Sequence, residues 1–332
     1  MKLIKPKVEI INDDESLDIL KQIEVAGRTC YKSEDKITDD SAERFVKMLI
    51  SSGHGAMLEH GTVYLDVPYD YYNESLEARD ISDFYAWNPY SYYFEPIEMD
   101  EGSPFHEQHY YITTNYRVLV DNDRLSDLKY ACKFTSMHER RVSVRFTMDR
   151  IGSQSFTRHR VFSFAQESTR YCNYSKDKFG GEITFIIPTW SSLKEGNYRY
   201  ISEEGALGKD FYWNPTIPYD TLNLHDQAIA ESFAHAEITY MELLHKWDTK
   251  ISDKRFKTGY KGNPLTPQQA RQVLPNALKT ELVMTGTIEQ WKGFFELRCA
   301  LNAHPDARYL ALQLQDEFLK RKYLNENEMI YK

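Results

Sequence analysis

Apolar and polar positions alternate with two different periods along this 332-residue chain, and the switches between them mark out its elements. Lys7 to Ile11 alternates with a period of two and predicts a strand, and Ser16 to Ala26 predicts a helix leading to Arg28-Thr29-Cys30-Tyr31. Phe45, Met48 and Leu49 form the apolar face of a helix that Asp39 or Asp40 can cap and that Gly53 ends in the C′ position. Val63, Leu65 and Val67 return to strand alternation, which Pro68 is expected to cut because it has no N–H to donate. Val142 to Phe146 predicts a further strand, feeding a helix that starts near Ser153 and carries Arg158-His159-Arg160. Ile183 to Ile187 reads as a short buried strand ending at Pro188. Ile229, Phe233, Ala236, Tyr240 and Leu243 fall on one face of a helix from His225 to Trp247. Thr266-Pro267-Gln268-Gln269 and Thr287-Ile288-Glu289-Gln290 both carry the capping-box signature, the second ahead of a helix over Trp291 to Ala300. Pro305 starts a last helix with Leu310, Leu314 and Phe318 inward and Lys320 to Lys322 near its negative end.

Two stretches break this rhythm. Residues 69–141 are crowded with Tyr and Trp and interrupted by Pro89, Pro96 and Pro104. They read as an insertion folded against the main body, with too few aliphatic residues for a core of its own. Tyr111 to Val120 within it suits a short helix or a strand. Residues 189–222 form a second irregular stretch, rich in Gly, Pro and aromatics.

Hydrophobic content of 41% and charged content of 27% describe a globular chain able to bury a sizeable core, as one large domain or two small ones. A net charge of −9 argues against a general nucleic-acid or membrane-surface binder, so any anion site must be a local basic pocket. Met1 to Leu20 has no apolar core of a signal peptide, and no apolar run approaches the ~20 residues of a membrane helix. Cys30, Cys132, Cys172 and Cys299 show no metal or redox spacing and suit reduced thiols in the cytoplasm.

The chemistry concentrates in Arg158-His159-Arg160-Val161-Phe162-Ser163-Phe164-Ala165-Gln166-Glu167-Ser168-Thr169-Arg170-Tyr171. Guanidinium forks suit bidentate phosphate contacts, and a Ser-Thr-Arg turn adds hydroxyl and backbone N–H donors. On a helix, Arg158 and Arg160 would point about 200° apart and could not grip one phosphate. Ser168 also permits a nucleophile reading, but its Arg-rich surroundings favour anion recognition. His54-Gly55-Ala56-Met57-Leu58-Glu59-His60 invites a metal reading; the i, i+6 spacing does not place both imidazoles on one helix face, and no metal is expected.

The R-H-R-x7-S spacing resembles the signature of the flavin-dependent thymidylate synthases, and three blocks share the likeness: Arg28 to Val67, Val142 to Pro188 and Thr266 to Phe318. The resemblance implies an α+β fold, a mixed or antiparallel sheet with flanking helices, as a single domain with large insertions assembled into a homotetramer. It implies FAD as carrier, NADPH as reductant, methylenetetrahydrofolate as one-carbon donor and dUMP as substrate, methylated at C5 to dTMP. Carried over residue by residue, it implies flavin contacts at His54, Ala56, Glu59, Arg158, His159, Arg160, Val161, Gln166, Thr287 and Gly293. It likewise implies dUMP contacts at Ser155, Arg158, Gln166, Glu167, Ser168, Thr169, Arg170, Arg271 and Arg298. Arg271 stands in an A-R-x-x-L-P-like segment, and Arg298 in an F-x-x-L-R segment that the family places beside the uracil ring. There a guanidinium near O4 and N3 stabilises the N3-deprotonated pyrimidine and raises nucleophilicity at C5, which gives Arg298 the catalytic role.

The chain departs from the family pattern in two places. Thr287-Ile288-Glu289 stands where Asn-x-Arg is usual, and Ser155 where many members have Gln. Asn115-Tyr116-Arg117 in the insertion is a candidate replacement for the missing pair. Two other functions compete with the resemblance: a flavoprotein that oxidises NADPH without methyl transfer, and a nucleotide- or RNA-binding module using Arg and Tyr.

Overall fold

The computed structural model describes residues 1–11, 18–70, 74–96, 107–170, 172–176, 181–201, 211–213, 222–244 and 264–328. The chain opens on strands β1 (Lys2–Ile4) and β2 (Lys7–Ile10), then helices α1 (Ile19–Tyr31) and α2 (Ser41–Ser51). Asp18 caps α1 by accepting from the Leu20 N–H at 2.8 Å, and the helix runs on to a left-handed Lys32, so that Arg28 to Tyr31 form its last turn instead of following it. Asp40 stands at the N-cap of α2 without a side-chain capping bond, and Gly53, at φ 70°, takes the left-handed turn expected of it.

Next come β3 (Thr62–Asp70), α3 (Leu76–Trp87), β4 (Tyr92–Phe94), β5 (Glu107–Asn115) and α4 (Tyr116–Asp121). The strands pair antiparallel in the order β3-β5-β4. Pro68 does not cut β3, because β3 is an edge strand, where a missing N–H can face away from the ladder. The insertion does form a core. Ala78, Ile81, Ile112, Val118 and Leu119 pack with Tyr85 and Tyr110 against Val63, Leu65 and Val67 of β3. Tyrosine bodies supply apolar area that a count of aliphatic residues misses.

The remaining elements are β6 (Arg141–Asp149), α5 (Arg150–Phe156), β7 (Ser163–Gln166), β8 (Thr184–Ile186), β9 (Gly196–Asn197), β10 (Arg199–Ile201) and β11 (Phe211–Trp213). They are followed by α6 (Leu224–Leu244), α7 (Pro267–Ala270), β12 (Lys279–Thr287), α8 (Ile288–Arg298) and α9 (Pro305–Lys320). Both capping boxes form, at Thr266 with Gln269 and at Thr287 with Gln290. The expected end of α6 at Trp247 lies outside the described residues.

The chain is thus α+β, with antiparallel sheets and one mixed sheet, in which β1 pairs parallel with β8 and antiparallel with β9. The sheet that positions the chemistry has the order β2-β6-β12-β7, antiparallel throughout. Strand alternation sorts its two faces. Val142, Val144, Phe146, Leu282 and Met284 meet Trp291, Phe294, Phe295, Leu310, Leu314 and Phe318 from α8 and α9. The opposite face is partly polar, with Ser143, Thr285 and the buried His60 hydrogen-bonded in a row. Among the described residues, no helix is long and apolar enough to cross a membrane.

Candidate active site

The Arg158 triplet is not on a helix. Asp149 caps α5 through its Oδ1, which accepts from the Gly152 N–H at 2.6 Å, and α5 ends at Phe156. Ser153 is no cap; its hydroxyl donates back to the Arg150 carbonyl at 2.7 Å. Arg158, His159 and Arg160 lie in the turn between α5 and β7, so the helical angle between the two arginines does not apply. Phe156 and Phe162 pin the turn at both ends, the Phe162 ring lying 4.6 Å from that of Trp291. Gly286 permits this: a Cβ there would come within 2.5 Å of the Phe162 ring.

In that turn four of the expected residues converge. Arg298 Nε donates to His159 Nε2 at 2.8 Å, and its Nη2 donates to the Ser155 carbonyl at 2.6 Å. With Nε2 accepting, a neutral His159 carries its proton on Nδ1. Burial, together with the Arg298 charge, lowers the His159 pKa to about 4, so the ring is neutral at pH 7. Burial and then Arg158 lower the Arg298 pKa as well, though a guanidinium keeps its charge. The turn therefore holds a fixed, half-buried cation whose Nη1 has no protein partner among the described residues.

A second group forms beyond β7. Arg271 Nη1 donates to Thr169 Oγ1 at 2.9 Å, Arg170 Nε to Gln268 Oε1 at 3.1 Å, and the Arg170 N–H to Ser168 Oγ at 3.3 Å. Tyr171 lies outside the described residues. Gln166 is turned inward, its Nε2 donating to Ser153 Oγ at 2.8 Å. Glu167 is buried, and its carboxylate accepts from Tyr174 Oη at 3.1 Å and from Lys279 Nζ at 2.7 Å. Lys279 and Lys32 also hold Glu281, lowering its pKa to about 2 against the opposing effect of burial. Glu167 thus belongs to an internal ion network. The four residues of β7, at ~3.3 Å each, put on the order of 13 Å between the turn and this second group. One phosphate cannot be gripped by both ends of that strand.

The third group surrounds a cavity of about 690 Å³ between the main sheet and the insertion. Glu59, Arg160 and Val161 line it, joined by Tyr90, Tyr92, Asn115, Arg117, Arg141 and Gln290. Val161 is 64% exposed and Arg160 exposed, with no side-chain hydrogen bond or ion pair to the described residues. His54 and Ala56 are exposed, and Tyr31 is hydrogen-bonded to His54 Nδ1. Thr287 is buried and its hydroxyl accepts from the Gln290 N–H, so it serves the cap of α8; Gly293 lies on α8 with open space where a Cβ would stand. Asn115 and Arg117 do reach the cavity, but Asn115 caps α4, and Arg117 is paired with Glu59 at 2.6 Å and Asp121 at 3.0 Å. Arg141 and the insertion tyrosines escaped the sequence reading. Arg141 sits at the head of an apolar strand, and its surroundings come from residues distant in sequence.

His60 gives an expectation for stability. Its Nδ1 bonds Thr285 Oγ1 at 2.8 Å, and burial, with Arg141 nearby, lowers its pKa from 6.5 to about 3. The fold keeps His60 neutral while the unfolded chain takes the proton near pH 6.5, so stability present above that pH is lost as pH falls toward 3. The slope is at most about 1.4 kcal/mol per pH unit from this residue. Urea midpoints should fall as the pH drops between these limits, and His60→Gln should flatten that dependence. An equally acid-sensitive variant would show that His60 does not control it.

Residues 134–321 match the family model described as thymidylate synthase complementing protein, more than half of the chain. A flavin-dependent thymidylate synthase of Mycobacterium tuberculosis is 34% identical over 181 residues, covering 54% of this chain and 58% of that protein. That of Mycobacterium marinum is 28% identical over 156 residues, 47% of this chain and 48% of the relative. The match therefore spans about half the length of these relatives. Among solved structures, a UMP/dUMP methylase PolB from Streptomyces cacaoi bound with 5-Br dUMP aligns over 96% of this chain and 93% of its own, at 16% identity and a TM-score of only 0.37. The family match falls on the segment that carries the Arg158 turn, β7, Arg271 and Arg298, and this chain belongs to the family of the flavin-dependent thymidylate synthases.

Proposed function

We propose that this protein methylates dUMP at C5 to give dTMP, with methylenetetrahydrofolate as one-carbon donor, FAD as carrier and NADPH as reductant. The observation that carries the reading is Arg298, fixed by His159 and the Ser155 carbonyl with one nitrogen uncommitted. A guanidinium held in this way can face O4 and N3 of a uracil and stabilise the negative charge that makes C5 nucleophilic. Bound FAD supplies the redox chemistry of the transfer. The cavity suits such a group: the exposed aliphatic Val161 and the rings of Tyr90 and Tyr92 offer apolar surface, beside Arg160, which has no ion pair among the described residues.

Ser168, Thr169, Arg170 and Arg271 supply hydroxyls and guanidinium groups for the phosphate of dUMP. Their separation from Arg298 along β7 supports a site completed by a second copy of the chain, within a homotetramer. No thiolate is needed. Burial raises Cys30, Cys132 and Cys299 to about 11 and Cys172 to about 12, so all four stay protonated at neutral pH.

The test is dTMP formation from dUMP, NADPH and methylenetetrahydrofolate by purified, yellow protein. NADPH oxidation without dTMP would replace this reading with the oxidase, and a colourless, flavin-free protein would favour the nucleotide-binding module. Ser168→Ala should weaken dUMP binding by ten- to a hundredfold, about 1.5–3 kcal/mol for a bond to a charged group, while turnover at saturating dUMP survives. Failure to turn over at any dUMP concentration would give Ser168 a chemical role.

A further inference from the structure

Arg141 is 7% exposed, lines the cavity and has no carboxylate within ion-pair distance among the described residues. Among the described residues its guanidinium donates only to neutral oxygens: Thr62 Oγ1 at 3.3 Å, the Glu59 carbonyl at 3.1 Å and Ser163 Oγ at 3.5 Å. Burying a charge without a counter-charge is costly, and proteins accept that cost where a ligand completes the pair. The balance of the lining agrees. Arg117, Arg141 and Arg160 face two carboxylates, Glu59 and Asp121, and Arg117 already engages both. Among the described residues, the uncompensated charge of the lining therefore rests on Arg141 and Arg160, in a cavity that Tyr90 and Tyr92 of the insertion also line.

We propose that Arg141 is an anion-binding residue of this cavity and that the group it holds is the diphosphate of the flavin. The assignment rests on the flavin reading above and deepens it, because Glu59, Arg160 and Val161 line the same cavity. It makes Arg141, and not Arg117, the answer to the missing Asn-x-Arg, and it gives the insertion a role as the outer wall of the cofactor site. Burial lowers the Arg141 pKa, which agrees with a strongly desolvated guanidinium, but leaves it charged at neutral pH.

The experiment titrates full-length protein, freed of flavin, with FAD and with riboflavin, which lacks the diphosphate, and follows flavin fluorescence. Arg141→Met should weaken FAD about tenfold or more and leave riboflavin within about twofold, with partial recovery in Arg141→Lys. Should Arg141→Met not fold, Ser163→Asp keeps Arg141 and places a carboxylate beside it. That variant should melt no lower than wild type, yet lose FAD affinity to the same degree. Unchanged FAD binding by a folded Ser163→Asp overturns the proposal, as do equal losses for FAD and riboflavin, which mark a packing role. If wild type binds no flavin but inorganic pyrophosphate raises its melting temperature, and Ser163→Asp abolishes that rise, the anion site stands and the flavin reading falls. Neither ligand binding to wild type overturns both.

Discussion

Arg298→Ala is expected to retain its flavin and lose turnover by about 10²–10³ in kcat, the usual cost of removing one donor aimed at developing charge. The residue is anchored through Nε and Nη2, so its remaining nitrogen is presented in a fixed direction. Arg298→Lys should recover little, because an ammonium cannot hold His159 and the Ser155 carbonyl while also facing two acceptors of a pyrimidine. A second readout separates this role from a merely structural one. The Arg298 charge helps to lower His159, so the imidazole pKa, followed by NMR, should move up from about 4 in Arg298→Ala. Near-wild-type kcat at saturating dUMP with bound flavin intact would sink the catalytic assignment.

Gly286→Ala should be among the most destabilising single-methyl additions in this chain. The new Cβ would lie 2.5 Å from Cδ1 and Cε1 of Phe162 and 2.9 Å from Gln290 Oε1, closer than van der Waals contact allows. Phe162 is packed among Trp291 and Phe294 and cannot retreat without opening the core between the sheet and α8. Overpacking of this kind costs about 1–3 kcal/mol, readable as a lower urea midpoint with unchanged m-value. Because Phe162 closes the Arg158 turn, flavin binding should weaken as well. A melt and a flavin affinity both equal to wild type would show that the ring yields freely and that the turn is not pinned there.

The parts of this molecule that depend on neighbours in sequence were legible in advance. Thr287 and Gln290 announce the start of α8 because a capping box needs only residues three apart, and the alternation from Val142 to Phe146 announces β6. The end of α5 was not legible. Nothing in Ser153 to Arg160 forbids a helix; the turn forms because Phe156 and Phe162 both find places in the core. Glu167 reads as a ligand residue beside Ser168, yet Lys279 and Tyr174, distant partners or inward-facing ones, claim its carboxylate. Arg141 shows the same limit from the other side. Its lack of a counter-charge is a property of Thr62, Glu59 and Ser163, which only the folded chain brings to it. The residues that the resemblance places on flavin are likewise divided: Arg160, Val161 and Glu59 share a cavity, whereas Thr287 is occupied with its own helix.

The pairing of β6 with both β2 and β12 bears on how the protein is made. Lys7 must find Thr147, and Leu282 must find Phe146, before the central sheet exists, whereas β3, β4 and β5 pair within a much shorter span of chain. Closing long loops is slow, and local pairings form first, so on a ribosome the insertion can take shape while the central sheet still lacks β12, one of its two inner strands. The outer wall of the cavity is then ready early, and Arg141 waits at its edge until β12 is synthesised and β7 docks. Over that interval the side of β6 that will pair with β12 is open to neighbouring chains. Yield during expression should therefore be limited by the arrival of the last third of the polypeptide, and slower elongation there would lengthen the exposure.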